Sequence, residues 1–264
     1  MNKSKLARDL GIARSSLYYT RKREAIDEDV KRQIEAVMVE HPAYGHKRIA
    51  LHLKMGHNRI RRVMKKYGLK PYRRRTRQPR KPNDQGKVPT SYPNLLAPLL
   101  DQQRINRPDQ VWCTDFTYLR YRGKFIYLAP VIDVFTREIV GVNILRYHNR
   151  FLVIGALRDA LKTYAVPDSV HADQGSEYDS AEFVGLIQTV GAQLSMSAKG
   201  APWQNGYKES FFSHFKVEAG DLDRFETLGE LVEFIYQQIY YYNHRRIHSA
   251  LKMPPAEWRT RQTV

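Results

Sequence analysis

Three carboxylates stand where a carboxylate is costly to place. Asp115 lies inside VWCTDFTYL (111–119), a run rich in strand-forming Val, Trp, Thr, Phe and Tyr, bounded by Pro108 and Gly123. With period-two alternation, Val111, Cys113, Asp115, Thr117 and Leu119 share one face, so an acid sits among apolar neighbours. Asp173 ends SVHAD (169–173), where Ser169, His171 and Asp173 alternate to one face before the turn at Gln174-Gly175. That is a strand's C-terminal end, where ligands collect in open α/β sheets. Glu209 falls in NGYKESFFSHFKVEA, a helical pattern that Asn205 can cap and that Phe211, Phe212 and Phe215 turn inward. Lys216, nearly two turns later, shares the Glu209 face. Taken singly, each acid also fits a turn, an ion pair or a surface role. If the three converge, two carboxylates about 4 Å apart repel by roughly 4 kcal/mol at an effective dielectric of about 20. A proton or a divalent cation relieves this, and three acids suit oxygen-preferring Mg²⁺. Two such ions can activate a water or a 3′-hydroxyl for in-line attack on phosphorus.

The elements that would position these acids are legible in the pattern. Strand-like runs cover 110–121, 125–134 and 138–146, followed by a helix at 149–164 and a strand at 169–173. A helix at 180–191, a strand at 192–197 and helices at 205–219 and 227–242 complete the series. Three strands and then alternating helices and strands predict an α/β layered domain with a mixed sheet. Ahead of it, KSKLARDLGIARSSLYYT (3–20) holds two short helical patterns split at Gly11, a helix–turn–helix arrangement that an ordinary helical hairpin would also give. A longer pair parted at Gly56 follows, with Ile49, Leu53, Ile60, Val63 and Met64 as its apolar stripe. Arg59, Arg61, Arg62, Lys65 and Lys66 crowd its other faces, and no acid occurs between Met55 and Leu69. The stretch 70–94 is Pro-rich, basic and without apolar period, an extended linker. The organisation expected is 1–25 and 26–69 as helix–turn–helix segments, 70–107 as linker and 108–264 as the α/β core. DNA contacts are expected at Arg14, Ser15, Ser16, Lys47, Arg48, Asn58, Arg59, Arg61, Arg62 and Lys65, and at Arg73, Arg74 and Arg75 of the linker.

Charge supports a nucleic-acid partner. Residues 1–87 hold 25 Lys and Arg against 8 Asp and Glu, while residues 88–264 hold 19 of each, so all of the +17 lies in the first third. One cysteine, Cys113, excludes an intramolecular disulfide. It also leaves His41, His46, His52 and His57 without thiol partners for a zinc site. No stretch approaches the roughly 18 apolar residues of a membrane span, and the basic N-terminus has no apolar core behind it. The chain is read as soluble and cytoplasmic.

Four motifs then occur in order: W-x-T-D-x-T-Y at 112–118, H-x-D-x-G-S-x-Y at 171–178, S-x-K-G-x-P-x-x-N-x-x-x-E-S-F-F at 197–212, and Y-N-x-x-R-x-H-S-x-L at 242–251. From about 27 to 258 the chain resembles the OrfB-type DDE transposases of the insertion-sequence-three family, relatives of retroviral integrases. The 35 residues between Asp173 and Glu209 match that family's spacing. The resemblance implies an RNase H-like core, a mixed five-stranded sheet with flanking helices. It implies Asp115, Asp173 and Glu209 as catalytic and metal-binding residues, Mg²⁺ as cofactor with Mn²⁺ as a substitute, and Lys216 as a contact to end DNA. It further implies cleavage and strand transfer at the ends of the element, double-stranded DNA (ends and target) as partner, and a homo-oligomer, at least a dimer, on that DNA. The family's upstream reading-frame product, a coiled-coil partner, is not visible in this sequence. Ala198, Ala201, Gln204 and Gly206 depart from the family's usual residues around the Glu209 helix. His171 and Asn205 are candidates to orient the acids, and Asp133 reads as structural. Two rivals stay open: an RNase H-like nuclease that cuts without joining, and a DNA-binding descendant that no longer cuts.

Overall fold

A computed structural model describes residues 3–18, 22–72, 92–197 and 206–262. The chain divides into two compact units, Met1–Pro71 and Tyr72–Val264.

The first unit is all-helical: α1 (Lys3–Asp9), a 3-10 turn (Arg14–Tyr18), α2 (Lys22–Glu40), α3 (His46–His52) and α4 (His57–Lys66). The second helix expected after Gly11 is only that five-residue 3-10 turn. Gly11 turns the chain at φ +63°, and Ser15 and Ser16 offer the backbone competing hydrogen bonds, so no α-helix propagates there. The later pair does form, with Ile49, Ile60, Val63 and Met64 buried. α2 packs on α4 through an acid. Asp27 is 2% exposed and accepts hydrogen bonds from both terminal nitrogens of Arg62, at 2.7 and 2.5 Å, and from Lys66 at 3.2 Å. The Arg62 hydrogen bonds hold the Asp27 carboxyl far below the usual carboxylate range, with Lys66 assisting against the effect of burial.

In the second unit, α5 (Leu96–Asp101) precedes β1 (Val111–Thr114), β2 (Thr117–Tyr121), β3 (Lys124–Asp133) and β4 (Ile139–Leu145). Then come α6 (Arg150–Leu161), β5 (Ser169–Ala172), α7 (Ala181–Thr189), β6 (Gln193–Met196), α8 (Gly206–Ala219), α9 (Leu228–His244) and α10 (Pro255–Gln262). β3 pairs antiparallel with β4 on one side and with β2 and β1 in succession on the other; β5 lies parallel to β1, and β6 parallel to β5. Helices cover both faces, in the RNase H-like arrangement. α6 and α7 pack over Trp112, Val131, Val170 and Leu194, whereas α8 and α9 pack over Leu119, Ile126, Leu128 and Ile139.

The strand expected over 110–121 is broken at Asp115-Phe116 into β1 and β2, so among the described residues the sheet has six strands where five were expected. Pairing of Thr114 with Val131 and of Thr117 with Leu128 keeps one register across the gap, which sets Asp115 opposite Pro130. Proline has no N–H to donate, so the ladder lapses there and the acid is freed from strand geometry. Two helices escaped the sequence reading, α5 and α10. α5 covers Val111, Cys113 and Val134. Leu95 donates its N–H to Ser195 Oγ, and Met196 to the Pro93 carbonyl. The stretch from Tyr92 to 107 therefore belongs to the second unit and is not linker; residues 73–91, with Arg73, Arg74 and Arg75, lie outside those described.

Candidate active site

β1 and β5 are adjacent parallel strands in which Cys113 pairs with His171. Two residues further along each strand stand Asp115 and Asp173, side by side just past the C-terminal ends of strands spaced about 4.8 Å. Both acids are half-buried, and local turns fix both: Asp115 Oδ1 accepts the Phe116 N–H at 2.8 Å, and Asp173 Oδ1 the Gly175 N–H at 3.0 Å. α8 packs against β1, with Phe211 and Phe215 buried and Phe211 edge-on to Tyr242 of α9 at 5.1 Å. The backbone places Glu209 in the first turn of α8. Its side chain, like the whole of Asn205, lies outside the described residues. Among those described, no group of three metal-ligating side chains gathers.

Tyr178 reports on the pair of acids. Its ring is fully buried, and its hydroxyl meets the Thr114 side chain in a contact looser than a well-formed hydrogen bond. Burial pushes the phenol pKa well above its usual value, and the charges of Asp115 and then Asp173 push it further. Two half-buried carboxylates at neighbouring strand ends, with oxygen as the donor atom throughout, are chemistry that fits a hard divalent cation.

The sequence reading missed a second ring of support. His148 Nδ1 lies 2.9 Å from Glu177 Oε1, and its ring stacks on Phe116, next to Asp115, at 6.0 Å. Burial tends to raise the Glu177 carboxyl, but hydrogen bonds from His148, its own N–H and Ser176 outweigh this and hold it below its usual value. Gly175 sits between the two acids of this turn. A Cβ there would lie 3.1 Å from Asp173 Oδ1 and 3.2 Å from Glu177 Oε2. Asn149 caps α6 by accepting the Phe151 N–H, which fixes His148 at the end of the β4 connection. No sequence spacing links His148 to Glu177; sheet order alone brings them together.

Other expected residues have definite places. His171 is fully buried with Nδ1 2.8 Å from Ser195 Oγ, a tie between β5 and β6 that accounts for a strand histidine. The Lys216 ammonium lies 5.1 Å over the Tyr118 ring, three residues beyond Asp115. Asp133 is structural: it accepts from Asp109 N and Thr136 N at 2.6 Å each. In the first unit Arg14, Ser15, Ser16, Lys47, Asn58, Arg59, Arg61 and Lys65 are exposed, and Arg48 is half-buried beside Tyr44. Arg62 departs from the expectation of a free DNA-facing cation, because its guanidinium is engaged with Asp27.

Known proteins resemble this chain in sequence over most of its length. The Integrase core domain family matches residues 105–202, and a second family of the same description matches 190–255. The transposase for insertion sequence element IS904 of Lactococcus lactis is 34% identical over 87% of this chain and 92% of its own length. A transposase-like protein of Haemophilus influenzae is 32% identical over 79% of this chain and 94% of its own. The HTLV-2 integrase catalytic core domain, solved with magnesium, covers 58% of this chain at 17% identity with a TM-score of 0.46.

Proposed function

The chain belongs to the insertion-sequence transposases built on an integrase core domain, and from that premise we propose that it cuts the ends of its own element and joins them to target DNA. It is a polynucleotidyl-transferase enzyme of DNA transposition. The observation that carries the finer reading is the juxtaposition of Asp115 and Asp173 on neighbouring parallel strands, with the Glu209 helix packed against the first of them. Asp115, Asp173 and Glu209 would hold divalent cations, Mg²⁺ with Mn²⁺ as substitute. Such ions, when bound, activate the attacking oxygen and stabilise the leaving one in an in-line displacement at phosphorus.

The chain's own residues do the positioning. Local N–H groups fix the orientation of Asp115 and Asp173, and Tyr178 closes the apolar side of the acids. Lys216, on the same helix as Glu209, would hold end DNA by its charge. Arg59, Arg61 and Lys65 on α4, with Lys47, Arg48 and Asn58, would grip phosphates and groove edges of the terminal DNA. Arg14, Ser15 and Ser16 would add backbone contacts. Joining two ends at once requires at least two copies of the chain on DNA.

The test is a joining assay on a plasmid carrying the native flanking DNA, with Mg²⁺, beside an Asp115→Asn control. Joined strands that disappear in the control, by more than the about 10- to 100-fold that losing an outer partner of a metal ligand costs, would support the reading. Cleavage without joining would favour the nuclease, and binding with neither would favour a DNA-binding descendant.

A further inference from the structure

The β2–β3 hairpin turns on Arg122 and Gly123, both at positive φ (46° and 74°), the geometry a two-residue hairpin demands. Beside it lies a groove of about 660 Å³ whose walls include Arg122, Lys124, Phe125, Tyr127, Arg146 and Tyr147. Its lining contains three cations and no acid, and a carboxylate at its rim, Asp223, accepts the Arg122 backbone N–H at 2.6 Å. Phe125 is 51% exposed and Tyr147 73% exposed, a costly display of ring surface beside Leu228 at the start of α9. A chain of ring contacts links the groove to the acids. Phe116, next to Asp115, stacks on His148; His148 lies 5.0 Å from Tyr127; and Tyr127 opens into the groove. Three to six strand residues separate Asp115 from these walls, about 10–20 Å. That span holds roughly three to six stacked nucleotides.

We infer that this groove binds an unpaired stretch of DNA strand leading to the reacting phosphate, with bases on Phe125 and Tyr147 and phosphates on Arg122, Lys124 and Arg146. Duplex DNA would use the cations and leave the rings idle. An apolar protein partner would use the rings and strand three cations. Only a single strand satisfies both, because every base has a face to stack and every nucleotide a charge.

The experiment uses the full chain and a short thymidine-rich single strand carrying photoreactive 5-iododeoxyuridine. Crosslinks mapped by peptide mass spectrometry are expected on Phe125, Tyr127 or Tyr147. The Phe125→Ala/Tyr147→Ala variant should bind this strand about tenfold or more weakly, with duplex affinity and melting temperature unchanged. Arg146→Ala should reduce the salt slope of single-strand binding by about 0.7, one phosphate's share. Crosslinks confined to other surfaces, or unchanged strand affinity in both variants, would overturn the inference. So would a variant that alters only self-association by sedimentation, which would assign the face to a second copy of the chain. The inference rests on DNA as the substrate, and the two fail separately: strand joining by the unvaried chain tests the function, and crosslink position tests the groove.

Discussion

At the residue scale, the site is built from groups that carry a cost in the folded chain. Asp115 and Asp173 stand on adjacent strands with like charge, and the Tyr178 hydroxyl is buried under the influence of both, with only a loose contact to Thr114. Such costs persist when a ligand repays them. Asp173→Asn is therefore expected to lose strand joining while its melting temperature stays equal or rises, because one of two repelling charges is gone. A clear drop in melting temperature would mean the carboxylate is structural. Tyr178→Phe gives a sharper contrast. Removing a buried hydroxyl held only by this loose Thr114 contact should cost no more than about 1 kcal/mol in urea unfolding. Loss of more than that would show that the hydroxyl is satisfied within the protein.

At the element scale, the question is what holds α8 and α9 to the sheet, since α8 carries Glu209. Asn243 answers for α9. Its amide accepts the Ile139 N–H and donates to the Ile139 carbonyl, both at 2.9 Å, so a side chain stands in for a strand partner at the start of β4. Tyr242, one residue earlier, packs edge-on against Phe211 of α8. The Tyr-Asn pair of the fourth motif is thus a fastening for the helix that bears the third acid. Asn243→Ala should cost about 2–4 kcal/mol, since it orphans two buried backbone groups. On the other face, a Cβ on Gly141 would come within 2.6 Å of the Ala160 backbone nitrogen of α6. Gly141→Ala is expected to force α6 off β4 and to lower the melting temperature, and an unchanged value would mean that the helix can shift at little cost.

At the scale of the whole molecule, each unit holds a buried charge cluster that pins helices together. In the second, Arg259 of α10 pairs with Asp109 at 2.8 Å, Glu138 at 2.5 Å and Asp133 at 3.3 Å. Burial raises the carboxyls of Asp133 and Glu138, and Arg259 opposes that rise. Arg259→Ala should cost about 3–5 kcal/mol at neutral pH, because it leaves three carboxylates uncompensated. Without the arginine these acids move further up. A raised acid contributes stability that is complete below its unfolded pKa and lost as pH rises through the folded value. The variant's deficit should accordingly be smaller near pH 4 than near pH 7, and a deficit independent of pH would sink this account. The first unit runs the opposite way. Asp27 is held below the usual range by Arg62, so its contribution is present above about pH 4 and lost only as pH falls through the lowered value. Asp27→Asn should remove that dependence and loosen α4, which carries Arg59, Arg61 and Lys65.

The sequence by itself determined the layered α/β class, the order of strands and helices from 110 to 242, and which acids to watch. Alternation and helical period are local properties, and each segment expressed them. It also located the positive charge, because composition needs no fold. Only the tertiary structure could decide the rest. Strand order set Asp115 beside Asp173 and brought His148 to Glu177, pairings that depend on which strands become neighbours. The break at Asp115 came from Pro130 on the facing strand, too far along the chain for a pattern in 111–119 to register. α10 was missed because its polar sequence shows no apolar stripe; it is held instead by Arg259 on acids more than a hundred residues away. Arg62 looked like its basic neighbours on α4 until α2 supplied Asp27. Short-range periodicity fixes what an element is, whereas the contacts between elements fix which of its side chains are left free to act.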